Sequence, residues 1–258
     1  MQKFLHSLLA YGLLCGLFSM PAQAIERIEK LDTGIANVYL LTGTQPILVD
    51  ASSHGHEPMI EAWLQKLGVS PQSLAMIIIT HAHGDHIGGA GYFRNKYQTP
   101  VMMGRGDYEM LKTGSMGPLK PTSFLAAALS VFLPGLTAYE PFEPSQIIDQ
   151  EISLQAYGLP ARVVPLPGGH TAGSLAVIFE DTREALVGDL VRGSLERSAE
   201  ADEHFYHENR WLSRWQLWWL LKHEGVMMFH PGHFGSFDSD AVMRRFFPDD
   251  QFAWPGPM

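Results

Sequence analysis

The apolar run Ala75-Met76-Ile77-Ile78-Ile79 opens straight into Thr80-His81-Ala82-His83-Gly84-Asp85-His86, and this junction constrains the chain more than any other segment. A short apolar run of this kind reads as a buried strand, and a loop leaving it can turn three imidazoles and one carboxylate into one cavity. Neutral imidazole and carboxylate are donors that suit zinc and similar divalent ions. Side chains so close in sequence cannot all reach one ion without strain, so the pattern predicts two metals and further donors from elsewhere.

The rest of the chain bounds that site. At 258 residues and 46% apolar composition there is material for one large α/β domain with a sizeable core. Residues 1–24 are expected to be a signal peptide outside it. Lys3 gives a positive start, residues 8–18 are largely apolar, and Ala22-Gln23-Ala24 is a small-residue cleavage signature. A retained membrane anchor is the competing reading. The stretch falls short of the roughly 20 residues a spanning helix needs, so no stable span is expected after cleavage. The domain then occupies 25–258, in the periplasm or secreted. Cys15, the only cysteine, follows Leu13-Leu14 rather than a small residue, which argues against lipidation, and it leaves with the signal. Disulfides and cysteine metal ligands are thereby excluded from the mature chain, whose ligands have to be His, Asp or Glu. A formal charge of −9 argues against nucleic acid as a partner and leaves a small-molecule substrate open. Oligomeric state is not legible.

Short β-rich runs alternate with helical ones, a layered α/β pattern. Strands are predicted at 37–42, 47–50, 75–80, 162–165, 174–179, 185–188 and 226–229, and helices at 57–67, 87–96, 206–223 and 239–246. Asp50 ends a strand at the edge where the histidine loop emerges, and either caps a turn or supports a ligand from behind. Trp211, Trp215 and Trp218, at i, i+4 and i+7, predict a core-facing stripe. The apolar run at 124–133 is too short to cross a bilayer. It reads as a lid helix over the active site or as an ordinary buried or dimer-forming helix.

Three more donors fall at strand ends. His170 lies in Pro167-Gly168-Gly169-His170-Thr171-Ala172-Gly173, Asp189 follows Ala185-Leu186-Val187-Gly188, and His233 ends His230-Pro231-Gly232-His233. With these residues in this order, the chain resembles the metallo-β-lactamase fold superfamily of metallohydrolases over nearly all of 25–258, with a ligand set like that of glyoxalase II. The resemblance implies a four-layered αββα sandwich with the metals at one edge of two packed sheets. It also implies that His81, His83 and His170 bind the first metal, that Asp85, His86 and His233 bind the second, and that Asp189 bridges them. His230 is the rival to His233. Two divalent ions about 3.5–4 Å apart can share a hydroxide and polarise a substrate oxygen. Asp85 would also orient that hydroxide or take its proton, which makes it the expected catalytic residue. Zinc is the default metal, and iron or manganese can occupy the same donors. Thr171 and Ser174 are candidates for hydrogen bonds behind the ligands or for turn caps. His54 and His56 read as an exposed turn or a pocket border, His204 and His207 as helix-start residues with a possible place in the cleft, and His223 as a helix C-terminal charge.

Departures from the family narrow the chemistry. Many β-lactamases of the family place a cysteine at the second metal, and the subclass using Asp and His there lacks the bridging carboxylate that Asp189 matches. Glyoxalase II carries a longer helical C-terminal region, whereas 25 residues follow His233 here. Quorum-signal lactonases place a tyrosine shortly after the bridging Asp, where this chain has Leu190-Val191-Arg192. Arg192 reads as a surface salt bridge, with an anionic substrate contact as the alternative. The expected activity is an exported dinuclear hydrolase attacking an ester, lactone or thioester-like carbonyl with a metal-bridging hydroxide. The alternatives are β-lactam hydrolysis, or a non-catalytic metal-binding or partner-binding protein of the same fold.

Overall fold

The computed structural model describes residues 27–117, 119–130 and 138–252; the expected signal peptide at 1–24 and positions 131–133 of the apolar run lie outside them. In the first half β1 (Ile28–Asp32), β2 (Asn37–Thr42), β3 (Pro46–Val49), β4 (Met76–Ile78), β5 (Val101–Gly104) and β6 (Gln146–Ile148) form one sheet in that order. The first three strands pair antiparallel and the remainder parallel. Parallel neighbours need crossovers, which are α1 (Glu57–Lys66), then α2 (Gly84–Ile87) and α3 (Ala90–Tyr97), then α4 (Tyr108–Thr113) and α5 (Phe124–Ser130).

The second sheet takes β7 (Ile152–Ser153), β8 (Ala161–Pro165), β9 (Leu175–Phe179) and β10 (Glu184–Gly188). A small ribbon of β11 (Arg192–Gly193) and β12 (Ala201–Asp202) and then α6 (Arg210–Lys222) lead to β13 (Met228–Pro231), β14 (Phe237–Asp238) and α7 (Ser239–Phe246). The order is β14-β13-β10-β9-β8-β7.

Both sheets are covered on both faces. In β2 the two-residue period sends Val38 and Leu40 outward, against Ile60 and Leu64 of α1 and Phe93 of α3. Tyr39 and Leu41 point inward, against Val163, Val177 and Phe179 of the second sheet. On that sheet's far side Ile178, Ala185 and Phe229 pack with Leu217 and Leu220 of α6 and Val242 of α7. Three apolar layers between four layers of structure make the αββα sandwich. Among the described residues no helix is long and apolar enough to cross a membrane.

Three readings of the sequence need correction. The helix predicted at 87–96 breaks at Gly88-Gly89, where the chain presses on the 51–54 loop. A Cβ on Gly88 would fall 2.5 Å from the His54 nitrogen, and the Gly89 N–H donates to Ser52 O at 3.1 Å. The helix predicted from 206 starts at Arg210, because the Asn209 side chain accepts from the Trp211 and Leu212 N–H groups and so fixes its first turn. The tryptophan stripe meets the core only at Trp218, which packs against the apolar layer on the second sheet's far side, for Trp211 and Trp215 are each 41% exposed. The buried face is Ser213, Gln216, Leu217 and Leu220, one step round the helix. Polar partners decide that rotation: Ser213 Oγ meets His207 Nδ1 at 3.0 Å and Gln216 Nε2 donates to Pro167 O at 3.0 Å.

Candidate metal centre

Every expected donor stands on a loop leaving a strand, at one edge of the two sheets. His81, His83, Asp85 and His86 follow β4, His170 lies between β8 and β9, Asp189 follows β10 and His233 follows β13. Gly84 begins α2, and this puts Asp85 and His86 on its single turn while His81 and His83 stay on the extended approach. The structure brings one donor atom each from His81, His83, His170 and Asp189 within 4.8 Å of one another. It does the same for Asp85, His86 and His233, and for Asp189, His204 and His233.

In the first group His83 Nδ1 lies 3.1 Å from His81 Nε2 and 3.2 Å from His170 Nε2. In the second, His233 Nε2 lies 3.3 Å from His86 Nε2 and 3.4 Å from Asp85 Oδ2. Asp189 stands between them, with Oδ2 at 3.5 Å from His81 Nε2 and 3.6 Å from His170 Nε2, and Oδ1 at 3.4 Å from His86 Nε2. His230 turns away and pairs with Glu184 at 2.8 Å and Ser236 at 3.0 Å.

What aims the imidazoles is a set of acceptors behind them. His86 Nδ1 donates to Asp50 Oδ2 at 2.8 Å, His170 Nδ1 to Tyr206 O at 2.9 Å and His233 Nδ1 to Ile35 O at 2.7 Å. Each such bond turns Nε2 toward the centre, as the nitrogen left to hold a metal. Asp50 therefore supports a ligand; its other bonds, from the Thr80 N–H at 2.7 Å and hydroxyl at 2.8 Å, hold the start of the histidine loop. Asp107, which the sequence reading passed over, joins the two halves of the site. Its carboxylate accepts from Ala82 N at 2.9 Å, Thr171 Oγ1 at 2.8 Å and Gly173 N at 2.6 Å. The pattern that would have found it is the one that found Asp50, a carboxylate just beyond a buried run, here Val101-Met102-Met103.

The electrostatics divide the donors in two. Burial pushes His81 and His170 well below the ordinary imidazole range and His83 down to about 4, so all three are neutral. Burial acts the same way on His86 and His233, but carboxylates outweigh it. Asp189, Asp50 and Asp85 lift His86 well above its usual value, and Asp189 and Asp85 lift His233 to about 10. Burial raises Asp85 and Asp189 in turn, yet the surrounding imidazoles hold both well below the carboxylate range. Among the described residues Asp189 Oδ1 is buried without a hydrogen-bond partner. A buried lone pair facing imidazole nitrogens is what a divalent cation would satisfy. Gly232 keeps the space clear, since a Cβ there would fall 2.6 Å from His86 Cε1 and nearer still to Asp189 Oδ1. The donor set fits a pair of metal ions.

A cavity of about 230 Å³ opens onto the donors. His83, Asp85, Asp189, His204 and His233 line it together with Ile35, Met116, Leu119, Phe205, Tyr206 and Phe234. The segment leading to α5 thus walls the cavity; Thr122 N donates to Phe205 O at 2.8 Å, and Phe124 is 92% exposed. Of the other histidines, His54 is exposed beside Glu57, and His56 bonds Ser52 Oγ at 2.9 Å. Arg192 is neither a surface residue nor open to the cavity. Its guanidinium is buried, pairs with Asp202 at 2.7 Å and lies 4.4 Å from the Phe205 ring centroid, so that Phe205 screens it from the metal side.

A family model described as the metallo-beta-lactamase superfamily matches residues 31–233. The probable metallo-hydrolase YqgX of Bacillus subtilis (strain 168) is 26% identical over 168 residues, 63% of this chain and 70% of that protein. The N-acyl homoserine lactonase of Bacillus cereus is 42% identical over 53 residues, 20% of each chain. Among solved structures, the di-iron-bound form of TTHA1623 superposes with a TM-score of 0.60 at 24% identity, covering 86% of this chain and 98% of that one. That likeness shows the same fold.

Proposed function

The chain belongs to the metallo-beta-lactamase superfamily as a metallohydrolase with a dinuclear centre, and from that premise we propose that it hydrolyses esters, lactones or thioesters whose acyl part is apolar and uncharged. The observation that carries the reading is the cavity wall. Ile35, Met116, Leu119, Phe205 and Phe234 face the donors, and among the described lining residues none is Lys or Arg. A wall of this kind gains by taking an acyl chain out of water, at roughly 25 cal/mol per Å² of apolar surface, and has no cation to offset the burial of an anionic group. This weighs against substrates that lay a carboxylate along the wall, as glutathione would; a phosphodiester would bring its charge to the metals instead, and the turnover test below separates it. The short likeness to a lactonase is in keeping with the lactone member of the class.

His81, His83 and His170 would hold the first metal, Asp85, His86 and His233 the second, and Asp189 both. Bound there, the pair would supply Lewis acidity, a water nucleophile active at neutral pH and a polarised carbonyl. The protein's own part is positioning and proton handling. Asp85, 18% exposed on its side chain and lining the cavity, is the carboxylate open to the substrate side and the group placed to take a proton. The apolar wall would orient the acyl chain. Zinc, iron and manganese all suit this donor set.

The test is turnover by the metal-loaded protein on a panel of neutral acyl esters, lactones and thioesters beside phosphodiesters and β-lactams. One neutral acyl class should dominate, and replacing both Asp85 and His86 should abolish it. Unchanged turnover in that double variant, or preference for an anionic substrate, overturns the reading. Export belongs to the proposal too, supported by the sequence of 1–24 and the absence of cysteine from 25–258.

A further inference from the structure

His204 lies outside the donor set implied by the family pattern, yet the fold brings it to the centre. The loop between β12 and α6 carries it, 4% exposed, with one edge on the cavity. The Tyr206 backbone holds His204 at Nδ1, which lies 3.1 Å from Tyr206 O and 3.3 Å from Tyr206 N, and the same carbonyl accepts from His170 Nδ1 at 2.9 Å, so both rings turn Nε2 inward. His204 Nε2 then sits 3.1 Å from Asp189 Oδ2. Its ring stacks on His233 at 5.4 Å and meets His170 edge-on at 4.8 Å. One donor atom each from Asp189, His204 and His233 lies within 4.8 Å of the others, a spacing at which a single ion can take all three.

We propose that His204 is a further protein ligand at the second metal position, sharing that ion with His233 and Asp189. The consequence is a crowded position. A catalytic zinc commonly takes three protein ligands and keeps one open place, whereas Asp85, His86, His233, Asp189 and His204 would supply five donors. Such a position suits an ion that accepts five or six ligands, such as iron, manganese or cobalt. The inference rests on the two-metal reading of the centre and is independent of the substrate proposed above.

The test uses the full protein loaded with cobalt(II) and followed by proton NMR. Each ligating imidazole keeps one N–H, which gives one shifted signal that vanishes in deuterated water. Six such signals are expected, from His81, His83, His86, His170, His204 and His233. His204→Ala should lose one of them and bind the second cobalt equivalent at least 10-fold more weakly, with the first unchanged. The visible spectrum of the second cobalt should also intensify as its ligand number falls. Five signals in the unaltered protein, or an unchanged second affinity in the variant, overturn the inference while leaving the two-metal reading intact. Uptake of fewer than two equivalents overturns both. Should His204→Ala fail to fold, the signal count in the unaltered protein decides.

Discussion

Replacing Gly232 by alanine should dismantle the metal centre while leaving the fold in place. The Gly232 backbone is pinned from two sides, with its N–H donating to Gly188 O at 2.7 Å and its carbonyl accepting from Asn37 N at 2.7 Å. Its φ is not positive, so alanine meets no conformational penalty there. The new methyl cannot retreat, and His86 and Asp189 have to move instead. Its carbon would start 2.6 Å from His86 Cε1. Carbon atoms settle at about 3.5–4.0 Å, so the ring has to shift by roughly 1 Å, and the nearer Asp189 Oδ1 by at least a comparable step. Metal ligands tolerate displacements of about 0.2 Å. We therefore expect affinity at the second position to fall by at least about 100-fold, with an overpacking cost of about 1–3 kcal/mol in the metal-free protein. Chelator competition with elemental analysis reads the first quantity and urea unfolding the second. Two tightly held metals in Gly232→Ala would refute the placement of these ligands around Gly232.

Three further outcomes follow from the same geometry. Asp50→Ala removes the acceptor behind His86, and metal affinity at the second position should drop about 10- to 100-fold in the same competition assay; an unchanged value would make Asp50 only a loop anchor. Burial raises the Asp107 carboxyl from 3.8 to about 6 despite the hydrogen bonds it accepts. The folded chain holds that proton more tightly, so the contribution, about 3 kcal/mol, is complete below pH 3.8 and lost as pH rises through about 6. In urea unfolding of the metal-free protein, the stability gap between unaltered chain and Asp107→Ala should then be wider at pH 5 than at pH 7.5, and a narrower gap at pH 5 contradicts the assignment. Phe205→Ala uncovers the Arg192 guanidinium toward the cavity, and competition between matched neutral and carboxylate-bearing acyl esters should shift several-fold toward the anion; an unchanged ratio would mean that Asp202 alone silences Arg192.

The parts of this molecule that could be read in advance are those where one local pattern decides the outcome. The strand at 37–42 and the helix at 239–246 match β2 and α7 in their bounds. Each has strong local signals: the continuous apolar run Val38-Tyr39-Leu40-Leu41 in one, and an Asp238 cap in the other. The donors from the 80–86 loop, with His170, Asp189 and His233, follow a spacing that the fold converts into proximity. Harder to see were residues whose role exists only across the interface between segments far apart in sequence. Asp107 has nothing unusual around it until Ala82 and Gly173 arrive. His204 becomes a candidate donor only once the Tyr206 backbone holds Nδ1 and Asp189 comes up against Nε2. The tryptophan stripe misled because hydropathy ranks side chains by size and polarity. It does not foresee that Ser213 and Gln216 have buried acceptors waiting for them.

The origins of the donors divide evenly along the chain. His81, His83, Asp85 and His86 come from the half that builds the first sheet, and His170, Asp189, His204 and His233 from the half that builds the second. Two of the three groups that the structure brings together need both halves, since His170 and Asp189 complete one and His233 the other, while Asp189, His204 and His233 come from the second half alone. Uptake of the full pair of ions would therefore wait until both sheets have formed and docked in register. Once bound, the ions link the halves, and any opening that separates the sheets has to release them. Partly unfolded forms open to proteases would thereby grow rarer as metal supply rises, and the protein's lifetime would follow the metal available to it.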